Sequence, residues 1–238
     1  MRSVLFYKYK FYIWFLIPLL IWNYPNFVYA FPPTFGFKQI ADNTTTFKQR
    51  DDANAIINKL HEYLIEAMKK GKEETFEQRR EKLDPVVRST FDLDHMAQVS
   101  VGHYWGEMSN ENQKHLLDSF AKMSVAIYAS RFKKYKDQKF EILEQQAGPE
   151  EGTFWVVSQL TFSNPNKDPV FLNYLMRDNT NGLKVIDVFL GGAISEMATK
   201  RAEYTSVIRT KGVDNFLKAL DQRIDDIAQG KDINDNKD

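Results

Sequence analysis

Cysteine is absent from the 238 residues. That excludes disulfide staples, thiolate nucleophiles, zinc ribbons, iron–sulfur clusters and a lipoprotein acylation site. Charge of one sign is missing too: 32 basic side chains stand against 32 acidic ones. Nucleic-acid binding, which needs a clustered basic footprint, is therefore not expected. Long apolar runs are also lacking. The longest extends from Phe11 to Trp22 with Pro18 inside it, well short of the roughly 20 residues of a spanning helix. The chain has no G-x-S-x-G elbow, no glycine-rich phosphate loop and no H-E-x-x-H pair. No cofactor and no metal are expected.

What is present suits one globular domain or two small ones, with 43% hydrophobic and 14% aromatic residues to fill a core. Arg2, Lys8 and Lys10 precede the Phe11–Trp22 run, and Val28-Tyr29-Ala30 closes the segment. This is the layout of a secretory signal, with cleavage expected after Ala30. The three basic residues leave with it, so the mature chain is slightly acidic. It is expected to be soluble in a bacterial periplasm. Residues 31–50, with two prolines and a threonine run, read as an extended lead-in, residues 51–228 as the folded domain, and residues 229–238 as a disordered tail.

From Asp51 the apolar period is helical through Ala53, Ile56, Ile57, Leu60, Leu64 and Met68. A second helix, Glu73 to Leu83, is expected to stop before Pro85. A third begins at Asp92 or Asp94, and the fourth and longest is capped by Ser109. Four strand-like segments follow: 139–144, 153–162, 170–177 and 183–190. Their connections are short and turn-rich, so the pairing is antiparallel. Two helices close the domain, with Gly212 between them as a left-handed cap. The fold class is α+β.

Strand alternation carries the most functional information. Phe154, Val156 and Leu160 share one face with Ser158, whereas Trp155 and Val157 take the other with Gln159. Ile186, Val188 and Leu190 likewise oppose Val185, Asp187 and Phe189. Large apolar groups on both faces fit either helices covering both or one face bounding an apolar ligand cavity. The histidines supply no constellation. His61 and His115 read as helix-flank residues, and His95 and His103 lack carboxylates at metal-ligand spacing. Asp187, among apolar neighbours, is either a general base or a structural carboxylate at a strand end. Arg131, Lys133, Lys134 and Lys136 suit the negative end of the long helix, and the same residues suit anionic lipid head groups.

Two stretches resemble a known family. VGHYWGEMSNENQKHLLDSFAKMSVAIYASRFKKY is similar to the G-x-Y-W and long-helix segment of the MlaC-type periplasmic lipid carriers, the toluene-tolerance auxiliary family. VIDVFLGGAISEMATKRAEYTSVIRTKGVDNFLKAL resembles that family's D-V…G-x-S, helix, R-x-x-G, helix signature. The likeness covers roughly residues 52–228, with Asn110-Glu111-Asn112 and Gly191-Gly192 as departures. ISEMATKRAEY looks closer to the hopanoid-associated HpnM branch.

The resemblance implies an NTF2-like curved antiparallel sheet, enclosed by helices around an apolar cavity. It implies a periplasmic carrier of phospholipid, or of hopanoid, with no catalytic role. Its implied partners are an inner-membrane lipid ABC transporter with an MCE-type subunit and an outer-membrane lipoprotein–porin complex. The implied lining is Tyr104, Trp105, Phe120, Met123, Ile127, Trp155, Val157, Tyr174, Met176, Val188, Leu190, Ile194 and Met197. Two other readings stay open: an NTF2-like enzyme acting on a small apolar substrate, with Asp187 or His103 as base, and a structural adaptor filled by its own side chains.

Overall fold

Apolar and β-branched segments joined by short polar turns pair with their sequence neighbours, and here they form a meander. In the computed structural model β1 (Lys139–Ala147), β2 (Thr153–Thr161), β3 (Val170–Asn179), β4 (Gly182–Leu190) and the two-residue β5 (Ile194–Ser195) lie in that order, antiparallel throughout. The structure describes residues 43–231 except 72 and 181, and of 43–50 the backbone alone. The expected signal segment, the lead-in up to residue 42 and the tail beyond residue 231 lie outside the described residues.

Six α-helices complete the α+β fold: α1 (Asn43–Lys69), α2 (Phe76–Thr90), α3 (Leu93–Val101), α4 (Asn110–Arg131), α5 (Glu196–Lys211) and α6 (Val213–Ala228). A 3₁₀ turn, Gly102–Glu107, joins α3 to α4. Side chains cap the helices as their sequence suggests. Asp92 accepts from the His95 N–H at 3.2 Å, and Ser109 from that of Asn112 at 3.2 Å. Thr75 and Gln78 form a reciprocal capping box. Gly212, at φ 81 and ψ 165, ends α5 and starts α6; its φ is positive, but its ψ is extended rather than helical.

Three expectations are corrected. Helix α1 begins at Asn43, ahead of its apolar stripe, because a nucleated helix extends through polar residues at little cost. Helix α2 does not stop at Pro85 but carries it and runs on to Thr90. Val86, Val87 and Thr90, all buried, outweigh the lost hydrogen bond of an interior proline. In β4 a bulge breaks the alternation: Met176 pairs with Val185, while Tyr174 pairs with Val188. Val185 and Val188 thus share a face, which a strict two-residue period forbids.

Helix α4 packs on α2, α3 and α6, and α5 packs on α3. A buried arginine ties α2 to α4 and to the turn that precedes α2. Arg79 of α2 donates to the Ala129 carbonyl at 3.0 Å, to that of Glu74 at 2.6 Å and to that of Gly71 at 3.3 Å. The charge is matched by carbonyl dipoles, with the Glu74 carboxylate adding a favourable field. Among the described residues, no helix is long and apolar enough to cross a membrane.

Candidate functional site

The pairing register decides which side chains share the helix-covered face of the sheet. Val156 stands opposite Tyr174, Phe154 opposite Met176, and Ser158 opposite Leu172. Tyr174 in turn faces Val188, and Leu172 faces Leu190. Phe140 and Ile142 of β1 join this face through Leu160 and Ser158. The result is an apolar surface whose one serine, Ser158, donates its hydroxyl to the Leu172 carbonyl at 2.7 Å.

Helix α1 crosses this inner face. His61 stacks on Phe140 with ring centroids 4.1 Å apart and planes 9° from parallel, and its Nε2 lies 3.0 Å from the Tyr174 hydroxyl. Burial lowers the His61 pKa to about 4, so near neutral pH the ring is uncharged. Burial also raises the phenol of Tyr174, leaving it a hydroxyl able to donate to the imidazole. From Phe140 the aromatic contacts continue outward. Phe132 lies 6.3 Å from Phe140, Tyr128 stacks on Phe132 at 5.7 Å, and Phe91 tilts against Tyr128 at 5.6 Å. One aromatic run therefore links the α2–α3 junction, the end of α4, β1 and α1.

Charged groups border this interior at the start of α5. Lys200 is buried, 3.6 Å from Glu196, and desolvation lowers its pKa to about 8. Glu203 is raised to about 7, first by desolvation. Among the described residues its Oε2 is buried with no hydrogen-bond donor. Asp187 is raised by desolvation, against the hydrogen bonds that lower it. Its Oδ1 accepts from the N–H groups of Val188 at 2.7 Å and Met197 at 3.1 Å, and its Oδ2 from the Ser195 hydroxyl at 2.5 Å. Both oxygens are thus occupied in fixing the β4–α5 corner, which is the structural alternative for this residue. His103 is exposed and, among the described residues, its ring meets that of Tyr104 at a 34° tilt with no contact to Asp187.

The thirteen residues expected as lining are placed in different surroundings. Tyr174, Met176, Val188 and Leu190 lie together on the inner face. Phe120 and Met123 are buried in α4, with Ile127 half-buried beyond them. Met197 is buried at the first turn of α5, where Asp187 holds it. Trp155 and Val157 belong to the opposite face, where Trp155 meets Phe189 edge-on at 4.7 Å. Tyr104 and Trp105 are half-buried in the 3₁₀ turn, and Ile194 is 57% exposed. The residues that reading missed are His61, Tyr128, Phe132, Phe140 and Val156. Phe140 and Val156 were accessible through strand alternation. The aromatic run was not, because its members are far apart in sequence.

A polar cleft of about 480 Å³ lies between α4 and α6. At its floor Asp221 accepts from Ser119 at 2.6 Å and meets His115 Nε2 at 2.7 Å. The carboxylate sits between serine and histidine, so the imidazole does not reach the serine hydroxyl and the trio lacks the serine–histidine hydrogen bond of an activated nucleophile. Its i, i+4 spacing on α4 was visible, but its partner on α6 was not.

Residues 58–222 of this chain match the sequence model of the MlaC protein family. The chain belongs to the MlaC family. Its matched segment starts inside α1 and ends inside α6, so it contains the whole inner face and the aromatic run. Among solved structures the chain resembles a phospholipid-binding protein from Ralstonia solanacearum, determined in complex with a phospholipid. The two superpose with a TM-score of 0.63 at 21% identity, over 74% of this chain and 98% of that one. At that identity the likeness is one of fold. No curated protein matches. The MlaC-type architecture anticipated from the two sequence signatures is thus present, helices and antiparallel sheet together.

Proposed function

We propose that this MlaC-family chain is a periplasmic carrier that holds the acyl chains of a phospholipid between the inner face of the sheet and the helices. It exchanges its cargo with an inner-membrane ABC transporter bearing an MCE-type subunit and with an outer-membrane lipoprotein–porin complex. The observation that carries the reading is the inner face itself. It is apolar over β1 to β4 and edged by the aromatic run, in a fold whose relative from Ralstonia solanacearum holds a phospholipid.

The physics of extraction favours such a surface. Each methylene withdrawn from a bilayer needs about 0.8 kcal/mol of matching apolar transfer. Area and shape supply this, and no nucleophile or base takes part. The half-buried members of the face, Phe140, Ile142, Leu160 and Leu172, are where a chain would first make contact. Tyr174, Met176, Val188 and Leu190 lie deeper. Methionine adapts to irregular cargo at little rotamer cost.

Native mass spectrometry of the exported protein, purified without detergent and followed by lipid extraction, tests the reading. The expected result is a mass excess that extracts as phospholipid, with the polypeptide starting at Phe31. A hopanoid in the extract would assign the cargo of the HpnM branch. A bare polypeptide that also takes up no phospholipid from vesicles would overturn the carrier reading.

A further inference from the structure

The segment that leaves α4 and enters β1 reads Arg131-Phe132-Lys133-Lys134-Tyr135-Lys136-Asp137-Gln138-Lys139: five cations, one acid and two aromatic side chains in a nearly neutral protein. We propose that this strap is a docking surface for anionic phospholipid bilayers.

The strap is held in shape by its neighbours. The Gln138 side chain accepts from the Lys136 N–H and donates to the Lys134 carbonyl at 3.3 Å, closing the turn in which Asp137 takes φ 56. The Lys69 ammonium, at the end of α1, lies 5.3 Å from the centre of the Tyr135 ring. The α1–α2 turn presses so closely that a Cβ on Gly71 would fall 2.0 Å from the Lys133 carbonyl oxygen. A side chain there would push the strap off its seat.

Its lysine charges are displayed without a carboxylate partner. Lys134, Lys136 and Lys139 are exposed and Lys133 is half-buried. Among the described residues none of the four ammonium groups has an ion-pair partner, whereas Lys70, Lys82 and Lys114 each meet a carboxylate. Such lysines attract an anionic leaflet at about a fivefold gain in binding for each. The half-buried Tyr135 is an amphipathic ring of the kind that settles at the headgroup level. A bilayer fits this surface better than an acidic protein, because the aromatic run begins here. Phe132 stacks on Tyr128 and reaches Phe140, so an apolar path leads from the basic strap to the inner face. That last point rests on the carrier reading, while the charge argument does not.

Flotation of the exported protein with vesicles tests the proposal, using phosphatidylcholine alone and phosphatidylcholine mixed with phosphatidylglycerol. Binding is expected only to the anionic vesicles and is expected to weaken with salt. The triple variant Lys133→Gln, Lys134→Gln, Lys136→Gln should bind roughly a hundredfold more weakly. A second triple variant, Lys114→Gln, Lys122→Gln, Lys218→Gln, removes the same charge elsewhere and should bind like the wild type. Equal loss in both variants, equal binding to neutral vesicles, or no vesicle binding by the wild type would overturn the proposal. The last result would leave an acidic protein face as the strap's partner. Purified protein that floats on anionic vesicles yet carries no lipid would sustain this proposal and count against the carrier reading alone.

Discussion

His61 shows how a single side chain converts burial into pH dependence. Its ring is sandwiched between Phe140 and Tyr174, and desolvation brings its pKa from 6.5 to about 4. The unfolded chain takes up a proton below pH 6.5, whereas the folded protein resists until about pH 4. The stabilisation is therefore complete above 6.5 and is lost as the pH falls through that window, to a total of about 3 kcal/mol. His61→Phe should remove this contribution, so that stability falls with rising pH where the wild type holds nearly constant. It should also cost about 1–3 kcal/mol at neutral pH, because the Tyr174 hydroxyl is left buried without its partner. Urea denaturation of both proteins across the window checks this, and an unchanged slope in the variant would refute the assignment.

Among the elements, α2 is the one whose local sequence argues against its own length. Pro85 is exposed on a helix that continues to Thr90. The proline ring contributes nothing to the core, and the carbonyl one turn earlier receives no N–H from it. Val86 and Val87, both buried, hold the helix together despite that loss. Pro85→Ala should raise stability by about 1–2 kcal/mol, the gain of a restored helical turn less the greater freedom of the unfolded chain. A lower melting temperature would mean that the proline ring packs in a way the exposed position does not suggest. The corner between β4 and α5 is the opposite case, where local sequence and tertiary need agree. Ser195 caps the helix at Ala198, and Asp187 binds the Ser195 hydroxyl and the Met197 N–H together.

At the scale of the whole molecule, buried titratable groups on different elements pull stability in opposite directions. Glu203 is raised from 4.5 to about 7, chiefly by desolvation. The folded protein therefore holds a proton that the unfolded chain gives up, and this contribution is lost as the pH rises from 4.5 through 7. His61 gains over nearly the same range, so the wild-type profile should be almost flat. Glu203→Gln should expose the rising His61 slope and melt higher than the wild type above pH 7, with no difference below 4.5. Coincident melting profiles for the two proteins at every pH would refute it. The carrier and docking proposals belong to this scale as well, since both depend on the inner face, the aromatic run and the basic strap being contiguous.

The sequence by itself determined the α+β class, the antiparallel meander and the cap at Ser109, and it narrowed the start of α3 to Asp92 or Asp94. These rest on short-range rules: apolar period, turn chemistry and the orphan N–H groups of helix starts. It also carried the two family signatures that the matched segment 58–222 contains. Tertiary structure alone decided the continuation of α2 through Pro85, because burial of Val86 and Val87 depends on the elements packed over α2. It alone decided the phase of β4, because the bulge beside Asp187 places Val185 with Val188 by pairing across the sheet rather than by any local signal. Trp155 and Val157 were expected alongside Tyr174, but the register sets them on the other side and brings Val156 in their place. His61, Phe132 and Phe140 come from three separate segments, and only packing makes them neighbours. Contacts between residues so far apart in the chain leave no periodic trace in sequence, which is why the fold class was legible and the composition of the inner face was not.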